Sequence, residues 1–195
     1  SALAWAAHKD DTELADLLLR AGANVNAANE YGVTPLALAC ANGSAAMVDR
    51  LLKAGANPNL AQKASGETPL MTAVRTGNVA VVRALLAAGA DANARESRRG
   101  QSALMWAANR SHADVVMALL ERGADAKAAS KSGFTPLMFA ARNGNADIAR
   151  MLLASGAGIN DVSPEDGTAL IVAAAGGHED FALFLLDKGA DPNLR

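Results

Sequence analysis

Apolar residues along this 195-residue chain come in short bursts of helical spacing, separated by polar, Gly-containing turns. In Val81-Val82 followed by Leu85-Leu86 they fall at i, i+1, i+4 and i+5, the spacing of one buried helix face. A shorter burst precedes each of these and opens on a hydroxyl residue. Thr34-Pro35-Leu36-Ala37-Leu38-Ala39 returns as Thr68-Pro69-Leu70-Met71-Thr72-Ala73 and as Thr135-Pro136-Leu137-Met138-Phe139-Ala140. Weaker copies start at Ser1, Ser102 and Thr168, so the starts at 1, 34, 68, 102, 135 and 168 are 33 or 34 residues apart. A second marker keeps the same period: Gly22, Gly55, Gly89, Gly123, Gly156 and Gly189 each lie 21 residues after an opening Ser or Thr. A fixed period of this size means a repeat architecture, with the two extra residues placed in the loops after Gly55 and Gly89.

Each repeat reads as helix, turn, helix, loop. The opening Thr or Ser caps the free N–H groups of a first helix, and Pro suits the next position because its missing donor is not needed there. Nine residues after the start, Gly43, Gly77, Gly144 and Gly177 allow a left-handed turn, where Asp10 and Ser111 stand in the other two repeats. The Gly of the second marker ends the second helix. Segments such as Asn29-Glu30-Tyr31-Gly32 and Ser130-Lys131-Ser132-Gly133 carry turn chemistry and predict hairpin-like fingers between repeats. Before Thr168, Asp166-Gly167 sits one residue nearer the cap than Gly32 and Gly133 do to theirs, which leaves that finger's shape open.

Composition narrows the class. Hydrophobic residues make up 51% of the chain but aromatics only 4%, and 47 Ala and 24 Leu supply most of the apolar share. So much Ala favours closely packed helices and excludes an all-β fold. No apolar run approaches the roughly 18 residues needed to span a bilayer, and no signal peptide is visible. The single Cys40 cannot form an internal disulfide, which suits a reducing compartment and an expected cytoplasmic location.

These residues resemble ankyrin repeats over the whole chain: the 33-residue period, the Thr-Pro-Leu start, the mid-repeat Gly and the Gly-Ala-Asp/Asn run after the second helix. The resemblance implies an all-α ankyrin-repeat solenoid of six stacked helix-turn-helix units, a single domain over residues 1–195. Its concave groove would be lined by fingers and first helices, and its usual activity is binding other proteins. The His that commonly follows Thr-Pro-Leu is replaced by Ala4, Ala37, Met71, Met105, Met138 and Ile171, so the Thr–His bonding expected between repeats is lost. The pattern resembles bacterial-type ankyrin units most. His112 and His178 match the family's turn position, where turn hydrogen bonds are expected.

Residues four, seven and eight places after the cap share one side of the first helix, the side that lines the groove in an ankyrin unit. The fourth position reads Trp5, Leu38, Thr72, Trp106, Phe139 and Val172, and Arg75, Arg110 and Arg142 fall at the seventh or eighth. Binding hot spots are enriched in aromatics and Arg, so Trp106, Arg110, Phe139, Arg142 and Arg75 form a central candidate cluster in repeats three to five. Finger residues Tyr31, Arg98, Arg99 and Phe134 extend it, and Trp5 joins it from the first repeat. The competing reading packs Trp106 and Phe139 against the neighbouring first helix and lets Trp5 cover an exposed end.

Charge is distributed unevenly. The net charge is −2 overall, −3 over residues 1–33, +5 over 34–134 and −4 over 135–195. A basic middle between acidic ends steers an acidic or phosphorylated protein segment toward the centre of the groove and disfavours nucleic acid.

Catalytic chemistry is poorly represented. Ser111-His112 with Asp114 has the residue types of a nucleophile and its base, but these occupy family-typical turn positions. His8, His112 and His178 lie in different repeats, so neither a metal nor another cofactor is expected, and no Gly-rich phosphate loop exists. Cys40 takes a small buried position where a reactive thiol is not expected. The sequence therefore predicts a non-catalytic, monomeric module that binds a protein or peptide, with no membrane partner. The alternative is a regulatory or targeting segment of a larger enzyme or secreted factor. It draws on the missing initiator Met and on Phe181 and Phe184 in a poorly capped last repeat, against which another repeat or a second molecule would pack.

Overall fold

The protein is described over residues 1–195 by a computed structural model. Its helices are α1 (Ala2–Lys9), α2 (Thr12–Arg20), α3 (Pro35–Asn42), α4 (Ala45–Lys53), α5 (Pro69–Thr76), α6 (Val79–Ala87), α7 (Ala103–Asn109), α8 (Ala113–Leu120), α9 (Pro136–Arg142), α10 (Ala146–Ala154), α11 (Ala169–Ala175) and α12 (Glu179–Asp187). None is long and apolar enough to cross a membrane.

All six first helices begin as their capping residues dictate. The side-chain oxygens of Ser1, Thr34, Thr68, Ser102, Thr135 and Thr168 each accept a hydrogen bond from the backbone N–H three residues on. Each such cap contributes about 1 kcal/mol. The turn nine residues after each start is left-handed in every repeat, and its two non-glycine occupants, Asp10 and Ser111, both have φ 57°. At Gly144 space adds to conformation, because a Cβ there would lie 2.7 Å from Nδ1 of His178.

The chain divides into two compact halves, Ser1–Arg98 and Arg99–Arg195, each holding three helix pairs. In the first half α1, α3 and α5 pack side by side, backed by α2, α4 and α6; in the second, α7, α9 and α11 do the same, with α8 against α10. Leu3, Leu36 and Leu70 fill the first core, and Leu104 and Leu137 the second, each at most 1% exposed. Met71, Met105 and Met138, which stand where the family's His is common, are fully buried. Their last counterpart, Ile171, is 38% exposed, and Leu14, Leu17, Leu183 and Leu186 are also exposed.

Asn and His side chains take over the polar linkage between repeats. Nδ2 of Asn42 donates to the carbonyls of Ala7 and His8, and Nδ2 of Asn78 to that of Gly43. In the second half Nδ2 of Asn143 donates to Asn109 O at 2.8 Å, and Nε2 of His178 lies 2.9 Å from Arg142 O. The His178 bond therefore spans repeats instead of closing its own turn. His112 departs further from expectation: its Nε2 is buried without a hydrogen-bond partner.

The fingers link through their backbones. Lys63 N–H donates to Tyr31 O, Ser97 N–H to Ser65 O and Lys131 N–H to Arg99 O. Asn29 N–H closes one finger on Val33 O and Gln62 N–H closes the next on Glu67 O, one residue further along, so the first insertion lies in the finger turn itself. The finger left open by the sequence is the most regular. Its strands β1 (Val162–Ser163) and β2 (Gly167–Thr168) pair antiparallel, with Val162 opposite Thr168 and Ser163 opposite Gly167.

Candidate functional site

A recurring three-residue arrangement builds the face formed by first helices and fingers. In repeats three, four and five the residue before the cap, at the base of the finger, reaches the side chain four places into the helix that follows, and in repeats three and five also the one seven places in. In the first half Glu67 occupies the base position. Thr72 Oγ1 donates to Glu67 Oε1 at 2.9 Å, and the Arg75 guanidinium pairs with the same oxygen at 3.2 Å. The Glu67 side chain is only 11% exposed and that of Arg75 43%, so the carboxylate is held inward and the cation lies over it.

In the second half Gln101 takes the base position before α7, and its Oε1 accepts from Trp106 Nε1 at 2.9 Å. The indole is thereby fixed with its polar edge satisfied, half-buried on the helix. Before α9 the base residue is Phe134, which meets Phe139 edge-on with ring centroids 4.7 Å apart. Arg142 lies over both rings, its guanidinium carbon 4.9 Å from the Phe139 centroid and 5.4 Å from that of Phe134. Its Nη2 also donates to Asn109 Oδ1. Stacking on two rings and a hydrogen bond from the side fix the direction of an exposed cation.

Phe134 and Phe139 are 7% and 4% exposed, which corrects the expectation of an open aromatic stripe. Phe139 is buried, as the competing reading had it, but it meets Phe134 of its own finger, and the surface the two rings support is the face of Arg142. Arg110 is exposed at the end of α7 with no side-chain partner, and Arg98 and Arg99 are exposed on opposite sides of the division between the halves. Tyr31 is 63% exposed on its finger, and Trp5 is 65% exposed, edge-on to His8 with the Lys9 ammonium 5.9 Å from its ring centroid.

Phe134, Phe139, Arg142 and Arg99 line a pocket of about 490 Å³ in the second half, joined by Asp166 and by Ile171, Val172 and Ala175 of α11. Trp106 and Arg110 stand outside that pocket, while Tyr31, Arg75, Arg98 and Trp5 belong to the first half. Gln101, Asn109 and Glu67, which orient the candidates, were missed in the sequence. The signal was present in the offset between a finger base and the fifth and eighth residues beyond it, but a repeat counted from its cap assigns the base to the preceding unit.

The residues that resembled a catalytic set do not assemble into one here. Ser111 is exposed in its left-handed turn, and His112 begins α8 without a side-chain cap bond. Cys40 is fully buried in α3, and desolvation pushes its thiol up to about 12, so it stays protonated and inert at neutral pH.

Capped helix pairs stacked through small side chains, with fingers tied from repeat to repeat, define a solenoid repeat protein. The family model for ankyrin repeats (three copies) matches residues 3–96, 89–163 and 130–195, so this chain belongs to the ankyrin repeat family. Among solved structures it is similar to the ankyrin repeat domain of Bcl-3, described as a unique member of the IkappaB protein family. The identity is 30% and the TM-score 0.87, over 100% of this chain and 89% of that one. No curated protein sequence matches it. Ankyrin repeats are generally protein-interaction modules, and family members are typically binding domains without catalytic activity.

Proposed function

We propose that this chain is a non-catalytic protein-binding module that recognises an acidic protein segment or peptide through the face built from its first helices and fingers. The observation that carries the reading is that Arg110 and Arg142 are exposed with no carboxylate partner in the chain, Arg110 only four residues from a Trp106 already fixed by Gln101. Aromatic and Arg anchors held in position before a partner arrives lose little freedom on binding, which is how a preorganised surface gains affinity. The net charge of +5 over residues 34–134 favours an acidic partner, and the acidic stretches on either side argue against a nucleic acid. Arg75, Tyr31, Arg98 and Trp5 extend the reading to the first half as separate contacts.

The test is capture of partner proteins by the intact chain, compared with the double variant Trp106→Ala, Arg110→Ala. The double variant is expected to keep its helical circular dichroism and to lose the captured partner. Equal capture by both folded proteins overturns the anchor assignment.

A further inference from the structure

Two repeats carry Arg at the same place, seven residues after the cap, and treat it in opposite ways. Arg75 receives a carboxylate from its own finger base, Glu67. Arg142 finds Phe134 there instead, and no Asp or Glu of the chain pairs with it. Its guanidinium is oriented by two rings and by Asn109, so the geometry of an ion pair is prepared while the anion is missing. Only one of its five N–H donors is taken by Asn109.

Beside this cation lies an apolar shelf. Ile171 is 38% exposed at the position where Met71, Met105 and Met138 are fully buried, and Val172 and Ala175 continue the wall. Asp166 stands on the finger side of the pocket, and Arg99 is already engaged within the chain. The pocket therefore presents the exposed Arg142 cation next to an apolar surface, with a carboxylate near by that repels a run of negative charge. A volume of about 490 Å³ suits a pair of side chains.

On these grounds, and resting on the protein-binding reading above, we propose that the pocket between α9, α11 and their fingers takes two neighbouring side chains of a partner protein: a single Asp or Glu carboxylate on Arg142, and an apolar side chain on the Ile171–Val172–Ala175 shelf. The carboxylate accepts hydrogen bonds from the outward edge of the guanidinium, whose face stays against Phe134 and Phe139. The apolar side chain removes Ile171 from water. A polyanion is a poor occupant, because its second charge meets Asp166.

The experiment pans a random short-peptide phage library on the full chain and on the variants Arg142→Gln, Arg142→Lys, Ile171→Ser and Lys53→Gln, then measures affinity with the best synthetic peptide. Both Arg142 and Ile171 are exposed, and circular dichroism checks that each variant is folded. The wild type is expected to enrich peptides with Asp or Glu adjacent to a large apolar residue. Arg142→Gln is expected to weaken the best peptide roughly tenfold or more, and Arg142→Lys to restore part of the loss. Ile171→Ser should weaken binding about threefold while the acidic residue stays required. Lys53→Gln, at an exposed ion pair with Asp49 on α4, should leave affinity unchanged.

A consensus without an acidic residue, equal binding by Arg142→Gln, or enrichment of no sequence overturns the assignment. Displacement of the peptide by an equal concentration of single-stranded oligonucleotide overturns the single-carboxylate occupant. If acid-free peptides bind and are lost in the Trp106→Ala, Arg110→Ala variant, the pocket assignment and the acidic partner both fail, while protein binding through the Trp106 and Arg110 anchors stands.

Discussion

Repeat three in the first half and repeat five in the second place an Arg seven residues after a Thr-Pro-Leu start, yet their surroundings differ at two positions. Around Arg75 the finger base is Glu67 and the fourth helix position is Thr72, so hydroxyl, carboxylate and guanidinium close a polar network within the chain. Around Arg142 the same positions hold Phe134 and Phe139, so the cation rests on aromatic faces and its charge has no internal partner. The side chain that decides whether a surface Arg is neutralised or presented is thus the finger base. The Arg itself is the same residue in both.

The contrast is broken most severely from beneath. Phe139 is 4% exposed, and Phe139→Ala removes the wall under Arg142 and leaves a cavity, with an expected loss of about 3–5 kcal/mol. Thr72→Ala at the matching position loses one hydrogen bond to Glu67 and should cost about 1–2 kcal/mol. Urea unfolding of the two variants measures the difference, and equal midpoints would show that the two faces are built alike after all. Phe134→Glu comes next in size. It copies the Glu67 arrangement into repeat five, trades a buried ring for a carboxylate beside Arg142, and should cost about 2 kcal/mol. Its more informative effect is on binding: the internal carboxylate should suppress selection of acidic peptides as Arg142→Gln does. Undiminished acid selection in folded Phe134→Glu would separate the pocket from Arg142.

What could be read from the sequence was mostly local. Caps, the left-handed turn and the closing Gly depend on residues within one helix turn of each other, so even the non-glycine turns at Asp10 and Ser111 follow from their offset. The buried Met71, Met105 and Met138 follow from the same alignment. The site was harder, because its geometry depends on contacts across a finger or between repeats. Phe134 and Phe139 have the spacing of groove residues, but their depth depends on each other, and periodicity counted from the cap hides that pairing. Arg75 and Arg142 look equivalent in the sequence because the partner that distinguishes them is counted with the preceding repeat. His112 and His178 share one motif position, but only His178 finds a carbonyl.

A smaller effect tests how the neighbours of Arg142 are held. Asn143 follows it and ties α9 to the carbonyl of Asn109, whereas Thr76, at the matching place after Arg75, turns its hydroxyl back to Ala73 O at 2.8 Å. Asn143→Thr should therefore cost about 1 kcal/mol in urea unfolding. A neutral result would mean that stacking of apolar side chains alone holds the repeats together there.

The smallest expected change in stability asks the sharpest question. Glu67→Gln keeps an oxygen to accept from Thr72 but removes the charge facing Arg75, and with Arg75 partly exposed the loss should stay below about 1 kcal/mol. The variant leaves an Arg without a counter-charge at the same repeat position as Arg142, but over a Thr instead of two rings. If aromatic support is what makes Arg142 a binding point, freeing Arg75 should create no new acid-selective binding: with Arg142→Gln in the same chain, the best acidic peptide should stay as weak as it is for Arg142→Gln alone. Recovery of wild-type affinity in that double variant would mean that an uncompensated charge is sufficient, and that Phe134 and Phe139 serve only to fill space beneath it.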